Sequence, residues 1–141
     1  MEASGIETAL SSATVRDVMS PGIVALSGEA TVGACAEAMH GRRTHAVLII
    51  DPSSREPLGW VFHRDVLGHI REDPLTTLAS AAVSHEAVWI DPMSSVEEAA
   101  QRMQDEDLTH LLVGSPGAIA EGVLSSWDVV GFYARRVGTR G

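Results

Sequence analysis

Two stretches of this chain share a frame that a single folding unit has no reason to carry twice. GWVFHRDV at 59–66 and GVLSSWDV at 122–129 both run from a glycine through apolar residues to an aspartate six places on, with valine next. The likeness extends well upstream, since TVGACAEAM (31–39) lies over SVEEAAQRM (95–103). In each of those segments apolar residues recur at i, i+3, i+4 and i+7: Val32, Cys35, Ala36, Met39 and Val96, Ala99, Ala100, Met103. That spacing is the one-sided stripe of an amphipathic helix. Thr31 and Ser95 stand just ahead of the stripes, where helix N-caps are found.

Around these helices the order is the same in both halves. A short apolar stretch precedes each one, IVAL (23–26) or AVWI (87–90), and Asp91-Pro92 supplies turn chemistry in the second copy. Apolar THAVLII (44–50) and THLLV (109–113) follow and read as buried strands. Hairpin-like loops, 51–57 and 114–120, then lead into a strand at 58–62 or 121–124. A second helix covers 64–71 or 126–136. The sequence thus predicts a mixed α/β (α+β) fold of two tandem β-α-β-β-α repeats, 14–73 and 74–137, with tails at 1–13 and 138–141. The N-terminal tail could add a helix that packs on a second subunit. A unit of about 60 residues buries too little surface to be more than marginal alone, so the copies are expected to pack with pseudo-twofold symmetry.

Composition narrows the function classes. The formal net charge is −9, carried against ten arginines and no lysine, and no basic run reverses it locally. Such a field repels nucleic-acid backbones and argues against DNA or RNA as partners. No apolar run approaches the roughly 20 residues of a membrane helix, and the start lacks a secretory pattern. A lone cysteine, Cys35, fits a reducing cytoplasm. Of the histidines 40, 45, 63, 69, 85 and 110, none forms an H-x-x-x-H or Cys/His pair, so no metal site is expected. No Ser/His/Asp set has the context of a nucleophile, and no enzyme activity is expected.

The series of motifs, with VRDVMSPGIVAL (15–26) ahead of the first helix and two Gly-h-h-(Ser/Thr)-x-x-Asp frames, resembles the CBS domain, named for cystathionine β-synthase. The tandem pair resembles a Bateman module, here standing alone. The resemblance implies a regulatory or sensory role with an adenosine-containing ligand (AMP, ADP, ATP or S-adenosylmethionine) in the cleft between repeats, and no required cofactor. It also implies a homodimer formed through the helices, for which Trp127 and VVGFYARRV (129–137) offer apolar surface.

The resemblance assigns Asp128 to a ribose and Ser125 to ribose or phosphate, with Gly122 giving the ligand room where its strand ends. Asp65 is the first repeat's carboxylate, and Arg64 is placed to meet a phosphate with its guanidinium fork. Base pockets fall to Ser20, Ile23 and Val24 with Ala46 and Val47, and to Ser84 and Val88 with Leu111. His45 and His110, in matching TH dipeptides, could edge those pockets. Two readings stay open. Ser-x-x-Asp before a helix is also a plain capping box, worth about 1 kcal/mol without any ligand. Phe62, standing where the second frame has Ser125, is expected to close a degenerate pocket and leave one good site per chain. The alternative to a sensor is a dimerisation or protein-interaction scaffold with unoccupied sites.

Overall fold

Two separate hydrophobic clusters organise the chain in the computed structural model, which describes residues 2–138. They correspond to two compact units, Ile23–Ala87 and the pair of segments Met1–Gly22 and Val88–Gly141. Secondary structure is mixed α+β, and each unit holds one three-stranded sheet.

In the unit 23–87, β1 (Ala25–Ser27) pairs in parallel with β2 (Ala46–Ile50), which pairs antiparallel with β3 (Pro57–Phe62). The crossover from β1 to β2 is α3 (Val32–Arg42), capped as expected by Thr31, whose hydroxyl accepts from the Ala34 N–H at 3.1 Å. Val32, Cys35 and Met39 of α3 pack with Val47, Ile49 and Val61. A short α4 (His63–Gly68) follows β3, and α5 (Ala79–Ala82) adds Ala79 and Ala82 to the same cluster. The alternate residues Ala46, Leu48 and Trp60, on the sheet's other face, are buried too.

The other unit repeats this plan with β4 (Trp89–Ile90), α6 (Val96–Glu106), β5 (His110–Val113), β6 (Gly122–Ser125) and α7 (Ser126–Gly138). Ser95 caps α6 by accepting from the Glu98 N–H at 3.0 Å. Ala99, Met103, Leu111, Val113 and Leu124 form its core. Burying each such aliphatic side chain is worth about 1.5–3 kcal/mol. Both crossover helices end on a residue in the left-handed conformation, Arg43 (φ 52°) and Asp107 (φ 54°), so that the chain turns into the next strand at the same point.

The N-terminal segment does not behave as a tail. Glu2–Ser12 forms α1, which lies against α6 and α7 of its own unit, and α2 (Val15–Val18) follows. Val15, fully buried, belongs to the α6–β5 core, and its N–H donates to the Ser94 carbonyl at 2.8 Å. Residues 74–82 do the same service for the first repeat: the Val32 N–H donates to the Thr77 carbonyl and Ala79 to that of Ala30. Each repeat is therefore completed by the segment that precedes the other in sequence. Residues 139–141 of the expected C-terminal tail lie outside the described residues, while 138 is the end of α7.

Two carboxylates tie their segments down, one in the first turn of α2 and one in a hairpin loop. Asp17 accepts from the Thr14 N–H (3.1 Å) and hydroxyl (2.9 Å), bonds that hold its carboxyl below the usual value. The N–H groups of Ser54 (3.0 Å) and Ser53 (2.8 Å) do the same for Asp51 in the hairpin loop. A depressed folded-state pKa adds stability that is present above the unfolded value and lost as pH falls through the folded one. Urea-unfolding midpoints should therefore drop as pH falls below about 4, and Asp17→Asn with Asp51→Asn should flatten that part of the profile.

Candidate functional site

In each unit the last strand of the sheet runs straight into a helix, and the frame sits at that junction. Ser125 and Asp128 form a reciprocal capping box. The Asp128 carboxylate accepts from the Ser125 N–H at 2.9 Å, and the Ser125 hydroxyl accepts from the Asp128 N–H at 3.1 Å. A third partner comes from far away in sequence: the Ser20 hydroxyl donates to the other Asp128 oxygen at 3.3 Å. Ser20, Gly122, Ser125 and Asp128 are thereby brought together, all within one unit.

The first frame keeps part of this arrangement. Asp65 accepts from the Phe62 N–H and from the Ser84 hydroxyl, both at 2.7 Å and both on one oxygen. Ser84 thus stands to Asp65 as Ser20 stands to Asp128. The Ser84 oxygen also lies 2.8 Å from His85 Nδ1. An ionised Asp65 can only accept, so Ser84 gives it its one proton and His85 must carry its hydrogen on Nδ1. Phe62 has no hydroxyl to return. Its ring stacks on Trp60 (6.4 Å between centres) and meets the edge of His85 (5.2 Å). Arg64 is exposed and forms no ion pair among the described residues, and its counterpart Trp127 is 81% exposed.

Three expectations need correcting. Gly122 begins β6 rather than ending a strand, and the room beside it is taken. A β-carbon there would lie 2.5 Å from the Ser20 carbonyl oxygen and 3.0 Å from Met19 Sδ. Ser20 pairs with Val123 through two backbone bonds of 2.9 Å, so the glycine admits a neighbouring strand rather than a ligand. Gly59 (φ 146°) plays the same part against the His85 carbonyl, where Trp60 pairs with His85.

The base-pocket groupings also divide. Ile23, Val24, Ala46, Val47 and Ser84 belong to one unit, whereas Ser20, Val88 and Leu111 belong to the other. The chain passes between units at 22/23 and at 87/88, inside both segments assumed to be continuous. The Val47 and Leu111 side chains are core, which leaves only their backbone for any ligand.

Finally, the matching TH dipeptides are not equivalent. Ala46 pairs with Phe62 while His110 pairs with Ser125, so His110 occupies the place of Ala46, and His45 that of Thr109. A slip of one residue turns side chains to opposite faces of the sheet. His110 therefore shares the face of Ser125, and His45 does not.

An open cavity of about 540 Å³ lies at the other end of β5 from the frame, lined by Trp89, Asp91, Glu98, Arg102 and Ser115 among others. Burial pushes the Cys35 thiol up from its ordinary value. Among the described residues no group of three or more His, Cys, Asp or Glu could hold a metal ion. No helix among them is long and apolar enough to cross a membrane.

Two β-α-β-β-α units, each closed by a strand-to-helix junction with an aspartate on the first turn, define the class. The profile of the CBS domain matches residues 15–72 and again 79–135, and the chain belongs to that family. The fold is similar to the CBS domain of a bacterial CNNM/CorC family Mg²⁺ transporter solved in complex with ATP. That likeness has a TM-score of 0.81 at 18% identity and covers 94% of this chain and 95% of that one. It is also similar to the CBS domain of a membrane protein from Sphaerobacter thermophilus (TM-score 0.76, 18% identity, 92% and 93% covered). A CBS-domain protein from Agrobacterium tumefaciens gives 0.71 at 22% identity, with 86% and 98% covered. Among curated protein sequences no match is found.

Gly122→Ala tests the strand-crossing role. It should destabilise by about 1–3 kcal/mol in chemical denaturation, as overpacking does. Gly41→Ala, on an open face of α3 with no atom within 4 Å, should be neutral or stabilising.

Proposed function

We propose that this chain is a regulatory module without catalytic activity of its own, binding an adenosine-containing ligand at the frame of the second repeat. The observation that carries this reading is the Asp128 carboxylate. Capping uses one oxygen, and among the described residues the other holds only the long 3.3 Å bond from Ser20. Each carboxylate oxygen has two lone pairs, so a ribose diol can be accepted without breaking the helix cap. The Ser20 bond is the weakest of the three and the one a ribose hydroxyl would replace. The N–H groups of the first turn of α7 attract an anion, which helps a phosphate against the global charge of −9. The ATP complex of a protein with the same fold supports the ligand class. The first frame is the poorer site, with Phe62 held against Trp60 and His85.

Isothermal titration and thermal shift with AMP, ADP, ATP and S-adenosylmethionine test the reading. At least one should bind and raise the melting temperature, because a ligand selective for the folded form must do so. Asp128→Ala should weaken that binding tenfold or more, and Asp65→Ala by much less. Unchanged affinity in Asp128→Ala removes the assignment.

A second reading, an interaction scaffold, is favoured by one feature: without a ligand each aspartate already accepts from a backbone N–H and from a serine hydroxyl. No shift with any adenosyl compound would select it. Under either reading we propose a cytoplasmic homodimer. The α7 face exposes Trp127 (81%), Val130 (53%), Tyr133 (48%) and Val137 (42%), and Leu67 with Ile70 are exposed in the first repeat. Covering apolar surface of this kind is the common driving force for association. Sedimentation should show a dimer that Trp127→Glu with Val130→Glu converts to monomer.

A further inference from the structure

The register that separates His45 from His110 brings His45 to His63. Ala46 and Phe62 form the last rung between β2 and β3, and the His63 N–H donates to the His45 carbonyl at 3.0 Å, adding one more. His45 lies one residue before β2 and His63 opens α4, so this bond holds the start of the helix against the entry to the strand. The two imidazole centres lie 5.0 Å apart, with their planes at 57°. Both residues are exposed, and no side-chain hydrogen bond or ion pair engages either ring among the described residues.

We propose that His45 and His63 form a two-histidine site for a borderline divalent metal ion, Zn²⁺, Ni²⁺ or Cu²⁺, with water completing the coordination. Metal–nitrogen bonds of about 2.0–2.1 Å at a near-tetrahedral angle set the ring centres of two imidazoles on one ion about 5 Å apart. The observed separation meets that value, and the rings are splayed rather than stacked. Imidazole favours these ions over Mg²⁺ or Ca²⁺, which prefer oxygen. The net charge of −9 favours cations in general. The second repeat serves as an internal control. Its equivalent rung, in which the Ser126 N–H donates to the Thr109 carbonyl at 2.8 Å, carries hydroxyls that do not replace imidazole for such ions. The proposed site is thus a property of the first repeat alone.

Calorimetric titration of the untagged full chain with Zn²⁺ at about pH 7.5, without nucleotide, tests the proposal. One ion per chain should bind. His45→Gln and His63→Gln should each weaken it tenfold or more, and His40→Gln, on the exposed side of α3, should not. The site is refuted if no Zn²⁺ binds or if either variant keeps wild-type affinity.

Discussion

The carbonyl of Ser20 occupies the space that any side chain at position 122 would need. That single close approach, repeated by His85 at Gly59, lets a segment from one end of the chain become a strand neighbour at the other. The rest follows from it. Ser20 and Ser84 are delivered to the two aspartates, Val15 and Ala79 enter the two cores, and the units become interleaved in sequence.

Local order was legible because it is written locally. The stripes Val32–Met39 and Val96–Met103 mark α3 and α6 through their period, and Thr31 and Ser95 mark their starts through hydroxyls that do cap. The duplicated frame exposed the architecture and both aspartates. Long-range pairing left no such mark. Nothing in MSPG states that its serine faces Val123, and helices of four residues such as α2 and α5 are too short to show a period. The TH dipeptides misled for a related reason: sequence likeness was one residue out of step with the ladder. Only the turn geometry at Arg43 and Asp107 fixes that register.

The two junctions show how duplicated parts diverge while keeping a shared skeleton. Both keep the aspartate, the serine from the crossing segment and the glycine. They differ in what surrounds these: Phe62, Arg64 and His63 in one, Ser125, Trp127 and Ser126 in the other. An aromatic set replaces the hydroxyl on one side, while an indole exposed to solvent replaces the guanidinium on the other. Changes at three adjacent positions thus alter the chemistry of a site while the bond from the backbone N–H to the aspartate is kept.

The interleaving has a consequence for how the protein is made. Synthesis proceeds from the N-terminus, and the unit 23–87 has all its strands and its closing segment once residue 87 has left the ribosome. Residues 14–22 are made before that unit and find their partners after it: Ser20 and Asp128 are 108 positions apart. Val15 and Ser20 thus gain their partners only after the whole of the unit 23–87 has been made.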